Sequence, residues 1–398
     1  MKFLARVIII YFLFVCLCLP LCLRKVLLQK FNWNFQDFSV QVKIVPPTEK
    51  QNGSNNALYF TRNIFDISTI KTKTRTEQKV ILFYNEPDYM RTFARKDTVY
   101  KNCEYKNCII SHDKTKLLIA DAVIFCVGIR NERMGNDPPI NMKQRNPDQA
   151  WIFAAVEPPE HYYNTDYKSI SWHNTMNWSS LYRLDSDIPN PYGILIRSNE
   201  DKVQNYIHVY NAKTKNALWM VSHCQVASAR RQYVNEMIRL GFHVDILGGC
   251  GSDGRKLSSE ELEHIIPTYK YFLAFENSFC TDYISEKFFQ NYNSSWIVVV
   301  RGGANYKLLL PEQTYINTAD FLNITTLVEY LLSLGNDRNR YIEFLRNKDK
   351  YVSIRWPGNR HCEICRRLNN ITRYRKIYKT LDPYLTTEQC FMPKDLTI

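Results

Sequence analysis

The 398-residue sequence contains no internal repeat and no low-complexity tract, which excludes a repeat architecture, a fibre or a disordered chain. It is also short of acid: 39 Asp+Glu against 52 Lys+Arg leave a formal net charge of +13. Such a balance fits nucleic acid, an anionic membrane surface or an anionic substrate, and by itself chooses none of them. The HCEIC segment with Cys362 and Cys365 has the spacing of a zinc knuckle. No second CxxC or HxxxH pair completes a four-ligand set, which argues for a local disulfide instead of zinc. Long apolar runs are equally scarce. One stands out, Val7 to Leu23, with 17 residues and no charge, and no small-x-small cleavage site follows it.

That run is at the short limit for a membrane span and is closed by Arg24 and Lys25, so a retained signal anchor is expected over a cleaved signal peptide. Both flanks are basic and do not set the orientation. Five N-x-S/T sequons, at Asn52, Asn177, Asn293, Asn323 and Asn370, place the remainder of the chain in the lumen of the secretory pathway if several are glycosylated. Nucleic acid then becomes an improbable partner, and a single-pass type II membrane protein of the secretory pathway is expected. Cysteine usage agrees. Three of the 12 cysteines lie in the run, and an odd nine remain, which in an oxidising compartment predicts a free thiol. Cys126, inside the buried-strand pattern ADAVIFCVG, is the expected free one. Cys103 with Cys108 and Cys362 with Cys365 are the expected local disulfides, and Cys250 with Cys280 the expected bridge beside the ligand site. Cys224 and Cys390 are left undetermined.

The chain divides into a cytoplasmic tail (1–6), the anchor (7–23), a polar stem without periodicity (24–78) and two globular parts (79–212 and 213–398). KVILFY, ADAVIFCVG, WIFAAVEPP and ILIRS read as strands in the first part. In the second, strands ALWMVS, FHVDIL, YFLAFE and WIVVV alternate with helices near residues 229–240 and 258–264. Alternation of this kind predicts an α/β protein with two doubly wound domains and a cleft between them.

The most informative stretch runs from Tyr271 to Gly303, strand, turn, helix and strand, with ionisable residues gathered in the turn. If Asp282 caps the helix, Tyr283, Glu286 and Lys287 share one face near its positive N-terminal end. A cation beside free backbone N–H groups is suited to a phosphate. Glu157 ends the hydrophobic run AWIFAAVE just before two prolines, where a carboxylate at a parallel strand's C-terminal edge suits a general base. Asp185-Ser186-Asp187 forms a DxD, which can share a hard cation but is more often a turn element.

FENS followed by DYISEK resembles the FENS…DYITEK signature of the α1,3-fucosyltransferases, family 10 of the glycosyltransferases. EPPEH is similar to that family's ESPxH, with Pro158 for its Ser; MNWSSLYRLDSDIPNPYG is similar to FNxTxxYRRDSDIxxPYG; and SHCQVASARRQYVNEM is similar to SN…AR..YYNEL. The resemblance implies a GT-B fold of two Rossmann-like domains, with the acceptor on the first and GDP-fucose on the second. It implies Glu157 as catalytic base, His161 on the acceptor side, and Arg230, Asn277, Tyr283, Glu286 and Lys287 around the donor. It also implies inversion by a single displacement and a glycan acceptor on glycoprotein or glycolipid. No cofactor is required for that chemistry, although Mn or Mg is a possible stimulant. Two alternatives stay open at this stage: a metal-dependent transferase using the DxD, and an inactive, membrane-tethered glycan-binding protein.

Overall fold

A computed structural model of the protein describes residues 77–86, 100, 103–128, 133–198, 202–251, 254, 257–356 and 359–396. The expected anchor, nearly all of the stem and the sequon at Asn52 lie outside them. Among the described residues no helix is long and apolar enough to cross a membrane.

Five parallel strands, β1 (Lys79–Phe83), β2 (Cys108–Ser111), β3 (Ala122–Cys126), β4 (Ala150–Ala154) and β5 (Trp178–Ser180), form a first sheet in the order β2-β1-β3-β4-β5. β3 and β4 are buried at every position, as expected of central strands covered on both faces. A two-stranded antiparallel ribbon pairs β6 (Gly193–Arg197) with β12 (Tyr351–Arg355). The second sheet contains β7 (Lys215–Met220), β8 (Val244–Leu247), β9 (Tyr269–Phe275), β10 (Ile297–Arg301) and β11 (Ile316–Asn317), in the order β11-β10-β9-β7-β8. Its pairings are also all parallel. Read from the other edge, this is the order of the first sheet. Each therefore reverses direction once, between β1 and β3 and between β7 and β9, and such switch points open a crevice beyond the strands' carboxyl ends.

The two sheets are clothed differently. Helices Arg230–Arg239, Ile324–Asn336 and Arg338–Lys348 cover one face of the second, where Trp219, Tyr271, Leu273 and Val299 meet Leu327, Leu331 and Tyr341. In the first, the described links from β2 to β5 contain only 3-10 turns where α-helices were expected. Pro138, Pro139, Pro147, Pro158 and Pro159 punctuate those links, and each removes a helix donor and obstructs the preceding turn. The missing cover comes from the end of the chain. The helix Arg360–Leu368 lays Cys362, Ile364, Cys365 and Leu368 against Ile81, Ile124, Ile152 and Trp178. On the other face, Leu381 and Leu385 join Val123, Phe125, Trp151 and Phe153. The sequence reading grouped this segment with the second half; its core partners belong to the first sheet.

The disulfides explain that return and correct all three expected pairs. Cys103 is joined to Cys362 and Cys108 to Cys365. HCEIC is helical, capped by Asn359, and its i, i+3 cysteines face the first sheet together instead of closing a loop on each other. Cys250 pairs with Cys224, both on loops that leave the neighbouring strands β8 and β7. Cys280 pairs with Cys390, which ties the motif turn to the C-terminal segment. Cys126, buried on β3, takes part in none of these disulfides, as expected.

Candidate active site

The turn that follows β9 is held by its own carboxylate. Glu276, 1% exposed, accepts from the Ser285 backbone N–H at 2.8 Å and from its hydroxyl at 2.9 Å. Lys287 Nζ lies 3.2 Å from Glu276, 3.1 Å from Glu286 and 2.8 Å from Ser285 Oγ. Burial alone would lower the pKa of this lysine; the Glu276 and Glu286 carboxylates more than offset it and raise the value above its usual range. Gly302 and Gly303, which follow β10, let the turn approach. A Cβ on Gly303 would meet Cys280 N and the Phe279 carbonyl carbon, each at 2.5 Å.

The expected helix cap is not Asp282. That residue has a left-handed backbone (φ 58°) and accepts from the Leu184 N–H at 3.2 Å, so it turns the chain toward the first half. The helix is the single turn Glu286–Phe289, with Ser285 as its cap. Tyr283 consequently precedes the helix and does not share a helical face with Glu286 and Lys287. It is buried, edge-on to Tyr182 at 5.0 Å and to Tyr192 at 6.0 Å, and its hydroxyl donates to Glu157 at 3.0 Å.

Glu157 lies three residues beyond the end of β4, on the loop before the 3-10 turn Pro159–His161. The surrounding protein pushes its carboxyl above the usual range, opposed by the Tyr283 hydrogen bond and the charge of Lys287. His161, in that 3-10 turn, pairs its Nε2 with Ser278 Oγ at 3.0 Å, a second bond from the first half to the FENS turn. Burial lowers its pKa, as do the nearby Arg230 and Lys287 charges, against the opposing charge of Glu160.

Arg230 begins its helix from the left-handed Ala229 and spans the β7/β9 switch point. Its Nη1 donates to the Phe275 carbonyl at 2.8 Å and its Nη2 to that of His223 at 2.9 Å, while buried Nε has no partner. The Asn277 side-chain oxygen nearby is likewise buried without one. The DxD, by contrast, is engaged in the fold. Asp185 accepts from Arg183, and Asp187 accepts from the Ser179 N–H, the Tyr378 hydroxyl and Lys376. Burial would raise the Asp187 carboxyl, but those bonds hold it below its usual range.

Two family descriptions cover most of this chain: "Fucosyltransferase, N-terminal" over residues 76–193, and "Glycosyltransferase family 10 (fucosyltransferase) C-term" over residues 210–384. A human relative, 4-galactosyl-N-acetylglucosaminide 3-alpha-L-fucosyltransferase FUT6, is 30% identical over 273 residues, 67% of this chain and 73% of the relative. The chain belongs to glycosyltransferase family 10, the fucosyltransferases. Alpha-(1,3)-fucosyltransferase fut-5 of Caenorhabditis elegans is 28% identical over 334 residues, 78% of this chain and 84% of the relative. A crystal structure titled alpha1,3-Fucosyltransferase aligns at 15% identity over 69% of this chain and 83% of that one, with a TM-score of 0.46, too loose a likeness to carry an argument.

In this fucosyltransferase the structure gathers Glu157, His161, Arg230, Asn277, Tyr283, Glu286 and Lys287 around one turn. Sequence reasoning gave no role to Glu276, Ser278 or His223. A carboxylate closing the apolar run YFLAFE was a legible sign of a buried ion-pair partner. His223 carried no such sign, since only the fold brings it near Glu157 and His161.

Proposed function

We propose that this fucosyltransferase is an inverting α1,3-enzyme that moves L-fucose from GDP-β-L-fucose to a GlcNAc hydroxyl of a glycoprotein or glycolipid glycan. The observation that carries the reading is the 3.0 Å bond from Tyr283, on the donor turn, to Glu157, on the acceptor half, with the charge of Lys287 acting on that carboxylate. Glu157 takes the proton of the acceptor hydroxyl as that oxygen bonds to the anomeric carbon from the face opposite the phosphate. The carbon–oxygen bond to GDP breaks, and Lys287 with Arg230 meets the charge that develops on the leaving diphosphate. Two parallel sheets, each with one switch point and tied together by the Tyr283–Glu157 and Ser278–His161 bonds, support the GT-B assignment, with the acceptor on the first and the donor on the second. The chain is proposed to be a single-pass type II Golgi membrane protein, anchored through residues 7–23 with its catalytic part luminal. With both DxD carboxylates engaged, activity is expected to persist in chelator even if Mn or Mg stimulates it. Transfer from GDP-fucose to an array of GlcNAc-terminated, N-acetyllactosamine, LacdiNAc and N-glycan-core acceptors, with and without chelator, tests the reading. Transfer to none of them, or complete loss in chelator rescued by metal, overturns it.

The raised carboxyl of Glu157 gives a pH test. A base works ionised, so kcat/KM is expected to fall as pH drops through a pKa above the ordinary value of about 4.3 for Glu. Tyr283→Phe removes the hydrogen bond that favours the carboxylate, so the acid limb of the profile is expected to move to higher pH. An unmoved limb would separate Glu157 from the titration that controls turnover.

A further inference from the structure

The four described sequons are held in different ways by the fold. Asn177 accepts from the Trp151 N–H and from Arg145, and donates its Nδ2 to the Lys376 carbonyl. Asn293 donates to the Ser353 carbonyl and accepts from the Ser353 N–H, so its amide serves as a backbone partner for β12. Asn370 directs Nδ2 at two acceptors, the Arg366 carbonyl and the Tyr105 hydroxyl. A glycan on any of these nitrogens competes with, or must be carried beside, a bond that the fold uses.

Asn323 differs. It is the exposed N-cap of the helix Ile324–Asn336, and the structure uses only its oxygens and its backbone N–H. Oδ1 accepts from the Thr326 N–H at 3.0 Å, and Thr326 Oγ1 returns a bond to the Asn323 backbone. Glycosylation leaves an amide oxygen in place, so this cap survives modification of the nitrogen. Thr325, the hydroxyl residue of the N-I-T triplet, is exposed, and the neighbouring Leu322 is 91% exposed, an apolar surface beside the acceptor nitrogen. The site lies beyond the carboxyl end of β11, the outer edge strand, two strands from β9.

We infer that Asn323 is an N-glycosylation acceptor whose first sugar covers Leu322 while Oδ1 continues to cap the helix. The inference rests on the proposed luminal placement of the catalytic part. In the transfer, Nδ2 loses one proton and bonds to C1 of the reducing-end sugar of a lipid-pyrophosphate-linked oligosaccharide; the C1–O bond breaks, and lipid pyrophosphate leaves.

The full chain expressed in a eukaryotic secretory cell provides the test, read by glycopeptide mass spectrometry and by mobility before and after amidase treatment. Thr325→Ala destroys the triplet without touching the Asn323–Thr326 cap, whereas Thr325→Ser preserves it. One glycan is expected to disappear in Thr325→Ala and to remain in Thr325→Ser, with the two variants equal in fucosyl transfer and thermal midpoint. Asn323→Asp keeps a strong cap and is expected to match Thr325→Ala in glycan count. A bare Asn323 on a chain glycosylated at other sequons overturns the inference and leaves the luminal placement standing. A chain with no glycan at any sequon removes support for the placement and overturns the inference with it.

Discussion

Glu157→Gln is expected to lower kcat by at least about 100-fold, the lower end of what a positioned general base contributes, while GDP affinity stays nearly unchanged. The substitution keeps the side chain's length and an oxygen to accept from Tyr283, whose hydroxyl is 3.0 Å from the carboxylate. It removes the capacity to take a proton. Burial, Tyr283 and Lys287 together define the carboxyl's environment, and none of the three anchors the loop through Glu157 alone: the adjoining turn is held by the His161–Ser278 bond and by Tyr192 donating to the Val156 carbonyl at 2.9 Å. Chemistry and folding are therefore separable at this position. Loss of kcat and kcat/KM in parallel, with unchanged binding of GDP measured by calorimetry, is the expected pattern for an interaction made only in the transition state. Turnover near the wild-type rate on the true acceptor would remove Glu157 from the mechanism and leave Glu286 as the next carboxylate to test.

The sequence reveals the second sheet more fully than the rest of the fold, for a physical reason. β7, β9 and β10 are apolar runs of five to seven residues that alternate with helices, so the pattern alone places them. β2, β5 and β11 escape it because they are only two to four residues long and lie at edges, where one or two side chains decide the pattern. The family motifs mark the residues that the structure gathers around the turn after β9, but local spacing misplaces two features of the fold. Asp282 looks like a helix cap until the contact with Leu184 sets its backbone, and the CxxC of HCEIC looks like a local loop until the helix aims both sulfurs at the first sheet. Both depend on residues about 100 or more positions away, beyond the reach of any window. The pairings across such distances are also strong constraints: closing a loop of roughly 260 residues contributes on the order of 5 kcal/mol in the chain-entropy account.

Lys287→Ala is expected to abolish fucosyl transfer and also to destabilise the protein without ligand, by about 3–5 kcal/mol, as when one partner of a buried pair is removed. Sequence reasoning assigned this lysine to the donor, so that truncation would leave the fold intact. The structure gives it a protein partner as well, Glu276 at 3.2 Å, a carboxylate that is 1% exposed. Without the lysine that carboxylate is buried with its charge unbalanced, although its two bonds from Ser285 remain. Its pKa, already raised first by burial, rises further in the variant. A carboxyl whose folded value exceeds its unfolded one opposes folding increasingly as pH rises above the unfolded value of about 4.3, so the variant's deficit is expected to shrink as pH falls. Adding Glu276→Gln to Lys287→Met removes both charges and keeps an acceptor for Ser285. That double variant is expected to recover most of the lost thermal midpoint while fucosyl transfer stays abolished, because Arg230 alone is then left to meet the departing diphosphate. Recovery of transfer along with stability would show that Lys287 acts only as a counter-ion to Glu276. Stability unaltered by Lys287→Ala at neutral pH would show that Glu276 is already protonated there and that the lysine's charge is directed wholly at the donor.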